Sequence, residues 1–224
     1  MKRHVRLYYE IHIDMPLYPG TMQVIVESIK SIARGDSCNT FNITFTNHSG
    51  THIDAPNHFW KSGRSINEYT IDELVFRNSF LLDCPKGINE YIGVNDISEL
   101  LLDKTPDLIL IRTGFSKNRS THEEYCYQNP YILPETAEWI RVNCPTVRAL
   151  GIDCISVASY SYREIGRETH RILLKEDGFS GPAILIIEDM WLPTNTNYDE
   201  IIVSPLFIKG VDSAPCTVVG IVYD

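Results

Sequence analysis

Between residues 47 and 60 the chain reads Asn47-His48-Ser49-Gly50-Thr51-His52-Ile53-Asp54-Ala55-Pro56-Asn57-His58-Phe59-Trp60. Three imidazoles and a carboxylate at this density are the nitrogen and oxygen donors that zinc, manganese or iron accept. Their spacing restricts the backbone. On a straight strand His48 and His52 would share a face but lie ~13 Å apart at ~3.3 Å per residue. Donors to one ion each sit only ~2.0–2.2 Å from it, so a straight strand cannot gather them. A helix would pair His48 with His52, but Gly50 and Pro56 both oppose one. The spacing therefore predicts a bent loop after a strand, turned at Gly50 and again at Pro56. Hydrogen-bonded polar residues at a strand end are the alternative, which suits one histidine better than four donors.

The rest of the chain frames that segment. Its 224 residues suffice for a proper core, and no repeat, low-complexity tract or linker divides them, so residues 1–224 are read as a single mixed α/β domain. A net charge of −9 argues against nucleic acid as a partner, because phosphate binding draws on Lys and Arg. No apolar run approaches the ~20 residues of a spanning helix, so no membrane association is expected. The start Met1-Lys2-Arg3-His4-Val5-Arg6 leads into an alternating pattern rather than the apolar core of a signal peptide, so a cytoplasmic location is expected. The six cysteines are scattered without a Cys-x-x-Cys pair and read as reduced thiols. Cys154 could reach a site, but nothing beside it marks a nucleophile.

Strand patterns dominate the first third: Arg6 to Ile13, Gln23 to Ile29, and a run in which Phe41, Ile43 and Phe45 face one way. Ser79 to Asp83, Leu108 to Ile111, Val147 to Ile152, Ala183 to Ile187 and Cys216 to Val222 read as buried strands. Helices are expected after an N-cap at Asn95 or Asp96, from Pro134, and over Arg163 to Lys175, where Gly166 weakens the pattern. The run Ile184-Leu185-Ile186-Ile187 ends in Glu188-Asp189, and an acid after a buried strand is costly without a partner; a metal is one remedy. His170, within Arg167 to Leu174, reads by itself as a surface or helix-packing histidine. His4, His12 and His122 lie in charged surroundings without ligand neighbours and read as structural or surface residues.

The segment His48-Ser49-Gly50-Thr51-His52-Ile53-Asp54-Ala55-Pro56-Asn57-His58-Phe59 resembles the H-x-G-T-H-x-D-x-P-x-H-F motif of the cyclase-like metal-dependent hydrolases, which include bacterial kynurenine formamidase (arylformamidase) and isatin hydrolase. Shorter matches follow in the family's order: Gly63-Arg64-Ser65-Ile66, Leu110-Ile111-Arg112-Thr113-Gly114, Gly151-Ile152-Asp153, Glu188, and Pro205 to Gly210 with Ala214-Pro215. The resemblance implies a layered swivelling β/β/α fold, a homodimer or homotetramer, and a divalent centre of one or two ions, with zinc expected first and manganese second. It implies that His48, His52 and Asp54 ligate one ion, that Asp54 and Glu188 bridge to a second, and that His170 helps hold that second ion. His58 would then be the catalytic acid/base, in keeping with its place beyond Pro56, where it is least tied to the first bend. Two departures bear on the substrate. Tyr18-Pro19-Gly20-Thr21 stands where the formamidases show Trp-Pro-Gly-Asp, and Cys154-Ile155 where Thr-Pro is common.

Three functions fit this reading. The first is a metal-dependent amidohydrolase acting on a small aromatic amide through metal-activated water, with His58 as acid/base. Tyr18, Phe59 and Trp60 would offer flat walls to that small-molecule substrate, core packing being the alternative for Phe59 and Trp60. The second is a lyase or cyclase working through a metal-stabilised enolate. The third is a non-catalytic metal-binding or ligand-sensing module.

Overall fold

The computed structural model of the protein describes residues 1–193 and 197–223. The first part of the chain supplies β1 (Lys2–Arg6), β2 (Ile25–Lys30), β3 (Thr40–Thr44), β4 (His52–Asp54), β5 (Val75–Phe76) and β6 (Ser79–Asp83). Next come β7 (Tyr91–Ile92), α1 (Val94–Leu101), β8 (Leu108–Arg112), α2 (His122–Tyr127), β9 (Tyr131–Ile132) and α3 (Pro134–Asn143). The last part holds β10 (Ala149–Ile152), α4 (Arg163–Leu174), β11 (Leu185–Glu188), β12 (Glu200–Pro205) and β13 (Ser213–Tyr223).

Nine strands form one sheet in the order β5-β12-β13-β4-β11-β10-β8-β6, with β1 added to β13. The path begins and ends on strands adjacent in sequence, β5 and β6, and the sheet curls into a mostly closed barrel. One stretch, β6-β8-β10-β11, is parallel; from β11 onward the pairing is antiparallel.

The parallel strands read as unbroken apolar runs because both of their faces are buried. Ile109 and Ile111 of β8 point toward Ile97 and Leu101 of α1, Ala137 and Ile140 of α3, and Leu173 and Leu174 of α4. The intervening Leu108 and Leu110 point the other way, to Ile53, Ile187, Ala214 and Val218 inside the curl. Gly166 lies within α4 despite the ~1 kcal/mol a glycine costs a helix. A Cβ there would come 2.1 Å from that of Ala158, so the glycine is what lets α4 lie against the 155–159 segment. Arg141 of α3 ties down the other end of α4. Its buried guanidinium donates to the carbonyls of Leu173 and Lys175, each at 2.7 Å, acceptors the helix itself leaves open.

Four sequence expectations need correction. The alternation of Phe41 and Ile43 is not a core face: β2 and β3 form a separate two-stranded hairpin, exposed along its length. The expected strand from Arg6 to Ile13 stops at Arg6, after which Tyr8 makes only an isolated bridge to Met190. The cap of α1 is Gly93, while Asp96 sits inside the helix and accepts from the Gly93 N–H at 2.8 Å. Finally, the histidine segment is not loop throughout, because His52–Asp54 is a central strand paired on both sides.

Candidate metal centre

β4 owes its place to two neighbours that arrive late in the chain. Glu188 of β11 pairs with His52 and Ile186 with Asp54, while Ser213 of β13 pairs with Asp54 from the other side. Residues two apart on a strand share a face, so His52, Asp54 and Glu188 all project to the same side. The chain reaches β4 through Gly50, whose φ of 65° is left-handed backbone open to glycine and strained for most other residues. That turn folds His48 back until its Nδ1 lies 3.1 Å from Asp54 Oδ1. A second bend, the 3-10 turn Pro56–His58, brings His58 over the same centre. The two predicted bends are both present.

His52 and His170 are aimed in the same way. His52 Nδ1 donates to the Gly50 carbonyl at 2.8 Å, and His170 Nδ1 to the Gly166 carbonyl at 2.7 Å. A carbonyl only accepts, so both Nδ1 atoms carry the proton and both Nε2 lone pairs face the carboxylates. Phe59 stacks on the His170 ring at 5.1 Å and fixes its plane.

The separations are those of donors around an ion. His52 Nε2 is 3.4 Å from Glu188 Oε2 and 3.6 Å from Asp54 Oδ1; His170 Nε2 is 3.4 Å from Glu188 Oε1 and 4.0 Å from Asp54 Oδ2. Two donors each ~2.1 Å from a common ion at a tetrahedral angle stand ~3.4 Å apart. His52 Nε2 and both oxygens of Asp54 are buried without a hydrogen-bond partner. Such atoms are expensive to leave unpaired, and a divalent cation satisfies all three together. Glu188 Oε1 is also steadied from behind, accepting from Ser156 Oγ and from the Val157 N–H at 2.8 Å each.

Charge follows the same logic. Burial pushes the Glu188 carboxyl up, but contact with His170 and His52 outweighs it and holds the group at about 2. Burial also raises Asp54, but electrostatic contact with the neighbouring imidazoles, His48 first, draws it well below the ordinary carboxylate range. His48 faces a carboxylate with each ring nitrogen, Asp54 with Nδ1 and Asp212 with Nε2 at 2.9 Å. Burial works against its cation, yet the two acids push it up to about 10. A proton on His48 Nδ1 thus stands where a metal ion would compete for the same lone pair.

Asp212 was not found by sequence reasoning. One of its oxygens, Oδ2, accepts from His48 Nε2 and, at 2.7 Å, from His58 Nδ1, while Oδ1 accepts from Asn47 Nδ2 at 2.7 Å. The usable signal was an acid immediately before a buried strand, the argument already applied to Glu188 at the end of one. With Nδ1 engaged, His58 has Nε2 left, and the ring places a nitrogen within 4.8 Å of donor atoms of Asp54 and His170.

A cavity of about 550 Å³ opens over these groups, with Leu17, Tyr18, Met22, Phe59, Ile155 and Ala158 as its apolar walls. Tyr18 and Phe59 therefore stand where flat walls were expected. Trp60 does not. It lies outside the cavity lining, its indole N–H donates to the Arg171 carbonyl at 3.3 Å, and Lys175 lies over its ring. Two residues past His58, the chain has already turned away from the centre. Cys154 is fully buried against Thr113, and burial pushes its thiol well up, so it offers no nucleophile.

Known proteins resemble this chain in sequence and in fold. Residues 5–159 match the family described as "Putative cyclase". A kynurenine formamidase of Geobacillus thermodenitrificans is 31% identical over 160 residues, covering 70% of this chain and 72% of that protein. An uncharacterized protein of Haemophilus influenzae is 37% identical over 109 residues, 47% of this chain and 76% of its own length. Among solved structures, isatin hydrolase A from Labrenzia aggregata bound to benzyl benzoate superposes with a TM-score of 0.81 at 22% identity, over 100% of this chain and 94% of that one. The matched segment carries His48 to His58, and the shared fold brings His170, Glu188 and Asp212 to it. The chain belongs to the cyclase family of hydrolases.

Proposed function

We propose that the protein is a metal-dependent hydrolase of a small aromatic amide. The observation carrying this reading is the convergence of His52, His170, Asp54 and Glu188 on shared donor distances, with buried atoms that lack a hydrogen-bond partner. His48, His52 and Asp54 would hold a first ion and Asp54, Glu188 and His170 a second, zinc before manganese, since imidazole and carboxylate suit both. When bound, the metal supplies Lewis acidity toward the scissile carbonyl and toward water.

The chain's own residues supply the rest. His58 Nε2 takes a proton from the attacking water as its oxygen bonds to the amide carbon, then delivers that proton to the nitrogen as the C–N bond breaks, releasing acid and amine. Asp212 holds the ring at Nδ1 so that Nε2 faces the cavity throughout. Tyr18 and Phe59 flank the ring of the substrate and keep water away from its apolar face.

The kynurenine formamidase relative supports an aryl formamide, and the isatin hydrolase neighbours a cyclic aryl amide. A homodimer or homotetramer fits the hairpin, where Ile25, Val26, Ile29, Phe41 and Ile43 are each 44–58% exposed on a two-stranded sheet that needs cover to persist. A cytoplasmic setting fits six free cysteines, five of them buried, and no helix among the described residues is long and apolar enough to cross a membrane. The test is turnover of formanilide and of isatin by zinc- or manganese-loaded protein in ¹⁸O-water. One solvent oxygen in the released acid supports the reading, and absence of turnover on both substrates overturns it.

A further inference from the structure

The strand pair that carries His52 and Glu188 does not run on past them. Those two residues are register partners, and the next pair of the ladder would set Asp189 against Thr51. Asp189 instead adopts a φ of 50°. Residues other than glycine enter this left-handed region rarely, aspartate more readily than most. Such a conformation persists only where its surroundings over-determine it, and it recurs beside functional centres.

All four polar atoms of Asp189 are engaged. Its N–H donates to the Cys154 carbonyl at 2.7 Å, and its own carbonyl accepts from the Thr51 hydroxyl. Arg119 grips both carboxylate oxygens, with Nε at 3.0 Å and Nη2 at 2.9 Å, and the Tyr125 hydroxyl adds a bond at 2.6 Å. Thr51 is held in turn. Its hydroxyl accepts from the Tyr9 N–H at 2.9 Å, and its carbonyl accepts from the Cys216 N–H at 2.9 Å. The Arg119 guanidinium lies over the Tyr9 ring at 3.9 Å and closes the set.

Neither conformation nor stability calls for this arrangement. Glycine would take the left-handed position without strain, and a buried ion pair is often no more stabilising than apolar groups of the same size. What the arrangement fixes is the backbone beside two donors, because Asp189 directly follows Glu188 and Thr51 directly precedes His52.

We infer that Arg119, Asp189 and Thr51 are positioning residues for the metal centre, setting the separation of His52 Nε2 and Glu188 Oε2, 3.4 Å, before an ion arrives. All three lie outside the cavity lining, so they act through the two ligands rather than on the ion or a substrate. An ion that meets donors already in place binds without the cost of gathering them. The inference rests on the metal-binding part of the reading above and on no particular substrate.

The test loads the full chain with zinc and, separately, with cobalt, whose visible absorption reports the geometry of its ligands. Wild type is compared with Thr51→Val, Thr51→Ser and Arg119→Lys. Thr51→Val deletes the hydroxyl and Arg119→Lys the paired grip, while every donor to the ion stays in place. Zinc Kd, from competition with a chelator, should weaken about 10–100-fold in both, the usual effect of losing a group that orients a ligand. Their cobalt spectra should shift. Thr51→Ser restores the hydroxyl and should return both readouts to wild type. Ile97→Ala, which opens a cavity in the core under α1, is the control: it should lower the melting temperature and leave Kd and spectrum unchanged.

Wild-type affinity and spectrum in folded Thr51→Val and Arg119→Lys overturn the inference alone, as does the same change in Ile97→Ala. Should Thr51→Val fail to fold, Arg119→Lys decides. Failure of both to fold makes the set purely structural and overturns the inference too. A wild type that takes up neither ion overturns the metal reading, and the inference with it.

Discussion

His58 Nδ1 donates to Asp212 Oδ2 across 2.7 Å, joining the end of the histidine segment to the residue just before the last strand. The same oxygen accepts from His48, so one carboxylate sets both the proposed proton carrier and a proposed ligand. A carboxylate so used must stay ionised. Burial raises Asp212, but its hydrogen bonds to His48 and His58 draw it far below the ordinary range.

His58→Ala should keep its metal and lose about 10²–10⁴-fold in kcat on an amide, the usual size of a general acid–base contribution. The deficit should shrink on an activated aryl ester, whose leaving group needs less protonation. Metal analysis beside steady-state kinetics checks this. Metal loss on substitution, or equal slowing of ester and amide, would make His58 a ligand or scaffold residue.

Asp212→Asn should lower kcat while leaving KM within a few-fold. An amide can donate to His58 Nδ1 as well as accept from it, so the ring is no longer held in one tautomer. The signature to look for is a pH–rate profile whose limbs shift relative to wild type. An unchanged kcat would remove Asp212 from the chemistry.

His52→Ala and Glu188→Gln should each reduce bound metal, read as ions per chain by elemental analysis. In the wild type, saturating zinc should raise the melting temperature, since an ion at 100 times its Kd adds about 2.7 kcal/mol to stability. Should zinc leave the melting temperature of wild type unmoved, the cluster does not bind it.

Metal-stripped protein should be most stable between about pH 4.5 and 6.5. His48 rises from 6.5 to about 10 in the folded state, so its contribution is complete below pH 6.5 and is lost as pH climbs toward 10. Glu188 falls from 4.5 to about 2, so its contribution is complete above pH 4.5 and is lost as pH drops toward 2. Denaturation midpoints at pH 5.5, 7.5 and 9.5 should decline in that order, while zinc affinity rises over the same range as His48 sheds its proton. Greater stability of the stripped protein at pH 9.5 than at 5.5 contradicts the assignment.

Behind the centre, Arg119 makes a two-pronged contact with Asp189, at 3.0 and 2.9 Å, and Tyr125 adds a hydroxyl bond at 2.6 Å. Arg119→Met should destabilise the fold by about 3–5 kcal/mol, because Asp189 is fully buried and would be left as an unpaired charge. Chemical denaturation measures the loss, and adding Asp189→Asn to Arg119→Met should recover part of it.

Local pattern carried the site's first half and little beyond. Gly50 and Pro56 disclosed the bends because backbone restriction is a property of single residues. Glu188 was legible as an acid ending an apolar run, and the buried strands because both faces of a parallel strand are apolar. Phe41 and Ile43 alternate as a buried strand would, but alternation does not say what lies over the face; here it is a hairpin without a third strand. Asp212 acquires its meaning only from the pairing of Ser213 with Asp54. No short window of sequence contains that pairing.

The three residues of β4 have no sheet neighbours until β11 and β13 exist. During synthesis the histidine segment emerges early and stays unpaired while more than half of the chain is still to be made, since Glu188 and Ser213 follow far behind it. Such long-range pairing is slow, because loop closure must precede any stabilising contact. An ion meeting the nascent chain finds the imidazoles of one short segment and none of the carboxylate of Glu188. The complete donor set comes into being at the last steps of folding, so loading of the centre reports on a finished sheet rather than nucleating one.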